Sequence, residues 1–113
     1  MDHTITLDLS QRLNVANVIS QSRGNTGEYR LNNQLLDMLE FTEEDIAKGG
    51  ITSKDIERLG IKQYFWDPAS NFTRDFRLKP AQWMRLKAVF ETFNQFGRQD
   101  KDWLDPVLEQ LGI

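Results

Sequence analysis

The chain has no cysteine, a single histidine, three prolines and no long apolar run. Without cysteine there is no disulfide framework, no thiolate metal site and no thiol nucleophile, and such a composition suits a reducing compartment. A cytoplasmic protein is expected. No stretch approaches the roughly 20 apolar residues that span a bilayer, and Met1-Asp2-His3-Thr4 is not the basic, then apolar, start of a signal peptide. Neither a membrane nor export is expected. His3 lies among terminal residues, where a side chain is expected to fray and be solvated. Gly24 and Gly27 form neither a phosphate loop nor a nucleotide-binding fingerprint, and no zinc spacing occurs. These absences remove the usual nucleophiles, bases and metal clusters, so no enzyme activity, cofactor or metal is expected.

Of the 113 residues, 39% are apolar and 27% charged, which is far from the composition of disordered chains. One domain covering residues 1–113 is expected, since a chain of this length buries roughly two-thirds of its unfolded surface around a single core.

Ile5 and Leu7 alternate with Thr4, Thr6 and Asp8, and helical spacing then takes over at Leu9, Leu13, Ala16 and Ile19. A short strand leads into a first helix that Asp8 or Ser10 can cap. Ser20 to Gly27 reads as a loop, and a second helix follows Thr26 with Tyr29, Leu31, Leu35, Leu36, Met38 and Leu39 as its apolar positions. Thr42, followed by Glu43, Glu44 and Asp45, is an N-cap with acids in the first turn, and Gly49-Gly50 is the stop. Those acids have a structural cause, which argues against a metal or acid–base role. Thr52 or Ser53 is expected to cap another brief helix through Asp55, Ile56 and Leu59, ended by Gly60 in the left-handed region.

The aromatic run from Ile61 to Trp66, a turn at Asp67 to Asn71, and the alternation of Phe72, Arg74, Phe76 and Leu78 with Thr73, Asp75 and Arg77 predict a β-hairpin. Lys79-Pro80 opens the longest helix, which Gly97 is expected to close, with Trp83, Leu86, Val89, Phe90, Phe93 and Phe96 on its apolar stripe. A final helix over about Lys101 to Leu111 turns Trp103, Val107, Leu108 and Leu111 inward, tolerates Pro106 only in its first turn, and ends at Gly112. The expected fold is α+β: about five helices around a β-hairpin that the N-terminal strand can join as a third member.

The net charge of −3 is uneven. Residues 28–61 carry eight acids against four bases, residues 62–87 six bases against two acids, and residues 88–113 five acids against two bases. In the basic stretch, cations interleave with Tyr64, Phe65, Trp66, Phe72, Phe76 and Trp83, a combination able to stack on single-stranded nucleic acid. The alternation instead sends most of the rings inward and most of the charges to a solvated face. Arg74 breaks that alternation, which places it at a sheet edge or beside an acid. A surface formed by Arg74, Arg77, Lys79 and Arg85 is the first candidate binding site.

The second candidate comes from element order: two short helices joined through Gly49-Gly50-Ile51-Thr52 and followed by a hairpin resemble a helix-turn-helix with a wing. Its second helix would present Lys54 and Arg58 to DNA, but Asp55 and Glu57 cancel their charge, whereas phosphate neutralisation dominates non-specific affinity.

Read in order, Leu7-Asp8-Leu9-Ser10-Gln11-Arg12-Leu13 with Asn17 and Ile19, the glycine loop, Leu39-Glu40-Phe41-Thr42-Glu43-Glu44-Asp45, the strand at Trp66, Phe76 and Leu78, the long helix and the leucine-rich end resemble small uncharacterised accessory proteins of bacteriophages and prophages of Gram-positive bacteria. The chain departs from that pattern at Ser20 to Arg23, where a proline is expected, and in its aromatic content from Tyr64 to Phe96. The resemblance implies a phage accessory role and carries over no catalytic residue. The expected function is a non-catalytic protein-binding module, such as an inhibitor of a bacterial defence complex. Its acidic exterior would mimic nucleic acid, or its basic hairpin would dock on an acidic partner. The alternative is a winged-helix or single-strand nucleic-acid binder using Lys54, Arg58, Arg74 and Arg77. A homodimer is compatible with an exposed Trp66 or Trp103.

Overall fold

The computed structural model describes residues 2–113, leaving Met1 and the side chain of Ile61 outside the description. The fold is α+β, with five α-helices and two separate two-stranded antiparallel sheets among the described residues. The elements run β1 (His3–Asp8), α1 (Leu9–Gln21), α2 (Thr26–Leu39), α3 (Glu43–Gly49), β2 (Thr52–Ile56), β3 (Ile61–Phe65), β4 (Thr73–Leu78), α4 (Pro80–Thr92) and α5 (Lys101–Leu111). Two compact units result: Met1–Glu40 with Thr73–Ile113, and Phe41–Phe72.

The larger unit holds the main core. β1 pairs with β4 so that Ile5 faces Phe76, Leu7 faces Arg74 and His3 faces Leu78. Ile5, Leu7, Phe76 and Leu78 are buried on that face together with Val15, Val18 and Ile19 of α1, Leu35 and Leu39 of α2, Leu86, Val89 and Phe90 of α4, and Leu104, Val107 and Leu111 of α5. Each such side chain contributes roughly 2 kcal/mol relative to exposure. The helix starts are set locally. Asp8 and Gln11 form a reciprocal capping box on α1, Asn25 and Glu28 on α2, and Thr42 and Asp45 on α3, each satisfying two amide hydrogens that a helix start leaves without partners.

Two arginines are buried in this unit. Arg12 of α1 sends Nη2 to the carbonyls of Leu39 and Glu40, at 3.2 and 2.8 Å, and so closes the C-terminus of α2 with a cation where the helix dipole favours one. Arg85 of α4 donates to Asn32 Oδ1 at 2.8 Å, Glu28 Oε2 at 2.9 Å and Ser22 Oγ at 3.2 Å, tying α4 to α2 and to the loop before it.

Several expectations are corrected. The strands expected to form a hairpin, β3 and β4, do not pair with each other; β3 pairs with β2 and β4 with β1. The alternation explains the choice, since Phe76 and Leu78 match Ile5 and Leu7 on a common buried face, whereas Lys62 and Gln63 of β3 are exposed. Residues 52–56, expected as a helix, are a strand. A single 3-10 turn, Glu57–Leu59, and Gly60 at φ 64° reverse the chain into β3. The glycine does adopt the left-handed region, but it closes a hairpin loop and not a helix.

The helix expected to be the longest, α4, stops at Thr92 rather than at Gly97 and at 13 residues is shorter than the 14-residue α2, and Phe93 and Phe96 pack from the following loop with their ring centroids 4.6 Å apart. Pro106 sits in the interior of α5 and not in its first turn. It forfeits the bond to the Asp102 carbonyl, and Asp102 is exposed to water that can take the bond's place. Tyr29, expected on the apolar stripe of α2, is 62% exposed, and the buried positions are Asn32, Leu35 and Leu39. His3 is not frayed: it belongs to β1, and its ring stacks on Trp83 at 4.6 Å. No helix of the described residues is long and apolar enough to cross a membrane.

Candidate functional site

The residues expected to form one basic surface are dispersed. Arg85 is buried and its guanidinium is held by Glu28, Asn32 and Ser22, so it is a packing residue and leaves the candidate set. Arg74 and Arg77 are both exposed on β4, but an odd spacing along a strand puts them on opposite faces. Arg74 shares the face of Phe76, its guanidinium 5.5 Å from that ring's centroid. Arg77 faces outward opposite Thr4. Lys79 is the N-cap of α4, and its amide donates to Gln82 Oε1 at 2.9 Å. Lys54 and Arg58 belong to the smaller unit. Lys54 lies on β2 opposite Gln63, and Arg58 in the 3-10 turn. With a strand at 52–56, the helix that would have entered a DNA groove is absent from the described residues.

In the smaller unit, α3 is capped at its start by Thr42 and Asp45 and ends at Gly50 in the left-handed region, φ 59°. Ile51 is buried. Tyr64 meets Phe41 edge-on at 5.0 Å, Trp66 meets the same ring at 6.2 Å, and Lys48 lies over Phe72 at 4.6 Å. These contacts hold one end of the hairpin. Apart from those rings, β2 and β3 leave side chains in solvent on both faces: Thr52, Ser53, Lys54, Asp55, Lys62, Gln63 and Phe65 are all exposed. Asp55 opposite Lys62 is a favourable cross-strand pair. Leu59 in the turn is 62% exposed, and Phe65, between Tyr64 and Trp66 at the held end, 50%. Beside the turn, Asp55, Ile56, Glu57, Gly60 and Lys62 line an open hollow of about 310 Å³.

The larger unit carries two adjoining hollows of about 200 and 190 Å³ that share Gln21, Phe93 and Gln95. Their walls mix carboxamides, including Asn14, Asn17, Asn94 and Gln99, with apolar and aromatic side chains such as Val18, Val89, Phe96 and Trp103. Asp100, the carboxylate there, accepts from the Gly97 amide and from Trp103 Nε1. Among the described residues, no three His, Asp or Glu side chains converge in a way that could hold a metal ion. Lys101 is held above its ordinary pKa by its hydrogen bond to Asp105, an exposed i,i+4 pair on the surface of α5. No protein-family model, curated protein or solved structure matches the chain.

Sequence reasoning missed Leu59 and Phe65 as surface residues. Leu59 occurs in a segment read as a helix and Phe65 in one read as a strand of a hairpin with β4. It also missed the carboxamide of Gln110, whose Oε1 accepts from the Thr6 amide at 2.7 Å while its Nε2 donates to the Thr6 carbonyl at 2.8 Å. No local pattern signals a contact between residues at opposite ends of the chain.

Proposed function

We propose that the protein is a small non-catalytic binding module whose partner is another protein, engaged through the hairpin of the smaller unit. The observation that carries this reading is the exposure of Leu59 and Phe65, 62% and 50%, on a hairpin with solvent on both faces. Large apolar side chains left in solvent are characteristic of protein contacts, with polar residues around them as a rim. Lys54, Arg58 and Lys62 with Asp55 and Glu57 supply a mixed-sign rim, which favours a protein over a polyanion. The lack of cysteine and the engagement of the one histidine with Trp83 support a non-catalytic role. The resemblance to phage accessory proteins directs the search to a host or phage complex, a bacterial defence complex being the natural first choice.

Affinity capture from bacterial lysate tests the reading. The tagged protein is expected to retain a stoichiometric protein partner, and Leu59→Asp with Phe65→Ser is expected to lose it while Arg74→Glu retains it. Retention unchanged by the hairpin substitutions would overturn the proposal. So would salt-sensitive retention of nucleic acid that Arg74→Glu abolishes.

A further inference from the structure

The two edges of the β1–β4 sheet are treated differently. On the β1 side, Gln110 of α5 occupies both backbone groups of Thr6, as a neighbouring strand would. An unpaired strand edge is a template for another chain, and this carboxamide blocks it. Because Thr6 points its amide and carbonyl away from β4, it and Asp75 form a non-hydrogen-bonded pair, and the alternation of an antiparallel ladder turns the backbone groups of Thr73, Asp75 and Arg77 to the outer edge of β4. No strand other than β1 pairs with β4 among the described residues. Thr73, Asp75 and Arg77 are all exposed.

We propose that this edge is a homodimer interface, with β4 of one protomer pairing antiparallel to β4 of a second copy about a two-fold axis at Phe76. A two-fold axis perpendicular to a sheet preserves its faces, so opposed residues must share parity along the strand. Asp75 and Arg77 are two apart and opposite in charge, and centring the axis on the residue between them sets Asp75 of each copy against Arg77 of the other. Two backbone-bonded residue pairs then carry two complementary charge pairs on the solvent face. Thr6 Oγ1 donates to Asp75 Oδ1 at 2.6 Å, so that oxygen is already engaged, and Oδ2 would be the acceptor for the incoming guanidinium.

Registers centred on Asp75 or Arg77 oppose like charges and are disfavoured. The hairpin strand β2 offers no equivalent: Lys54 and Asp55 are adjacent, so the same symmetry opposes each to residues of its own parity and never to the other. The dimer is a continuous four-stranded sheet, its outer edges covered by Gln110 on both sides.

Sedimentation of the whole chain over a range of concentrations tests this. Wild type is expected to show a monomer–dimer equilibrium. Asp75→Arg alone and Arg77→Asp alone are each expected to weaken it at least tenfold, because each opposes like charges twice. Mixing the two single variants restores Arg opposite Asp at both positions, and the mixture is expected to form a heterodimer at least as tight as wild type. Arg77→Asp leaves the Thr6–Asp75 bond intact, so its circular dichroism is expected to match wild type. A wild type that stays monomeric at all concentrations, single variants that dimerise as well as wild type, or a mixture as monomeric as its components would overturn the proposal. None of these outcomes bears on the hairpin contact, which uses other residues.

Discussion

The protein builds two antiparallel strand pairs by opposite means. β1 and β4 join residues far apart in the chain, Thr6 meeting Asp75 across 69 positions, and their shared face buries Ile5, Leu7, Phe76 and Leu78 to between 0% and 4% exposure. β2 and β3 are joined by a four-residue turn at 57–60 and have no fully buried side chain among their described residues. The long-range pair exists because a core rewards its closure, whereas the local pair costs little to close and is held by its turn and by Phe41 against Tyr64. A lone two-stranded hairpin is marginal in water. The pair that carries the core and the pair proposed to meet a protein partner are therefore different, and local opening of the second need not disturb the first.

The largest effect separating them is expected from two phenylalanines. Phe76→Ala should cost about 4 kcal/mol by transfer and cavity terms, read as a lower urea midpoint. Phe65→Ala, half-exposed on the hairpin, should stay within about 0.5 kcal/mol of wild type. Equal losses would mean that the hairpin is as much a part of the stability core as β4.

The turn gives the next contrast. Gly60 at φ 64° sits in a region that costs a residue with a Cβ about 1 kcal/mol. Gly60→Ala should therefore speed amide exchange across residues 52–65 and leave the protection of β1 and β4 unchanged. A matching loss of protection in β1 would show that the chain opens as one cooperative domain, as its length suggests.

How far the sequence reveals this division depends on the range of the interactions involved. Caps were legible because their partners are three residues apart: Asp8 on α1, Thr42 on α3 and the left-handed Gly50, Gly60 and Gly112 all follow from local chemistry. Most apolar core positions were legible from period alone. Strand partners were not, because Ile61 to Phe65 and Phe72 to Leu78 are both good strands and adjacent in the chain, and what separates them is the better match of Phe76 and Leu78 to the distant Ile5 and Leu7. The same limit applied to the candidate site. Arg85 reads as a surface cation on a helix, and only the fold shows Glu28, Asn32 and Ser22 converging on it. Aromatic content misled in the other direction, since Phe65 was read as core by type while its strand was left with a free face.

A small effect on stability is also expected at the edge that the fold has closed. Gln110→Leu removes two hydrogen bonds to Thr6, but those backbone groups lie at the surface and water can replace the carboxamide, so the loss should be under about 1 kcal/mol. The consequence for association is larger, because a strand edge without its plug can pair with another chain. With β1 open, association should no longer stop at a closed pair: β4 would still meet β4 and β1 could meet β1, giving a sheet that extends from both sides. Light scattering of Gln110→Leu should thus rise steadily with concentration, while Gln110→Glu, which retains an acceptor for the Thr6 amide, should stay close to wild type. If Gln110→Leu remained as limited in size as wild type, β1 would be protected by something other than that single side chain, and the asymmetry between the two edges would lose its physical cause.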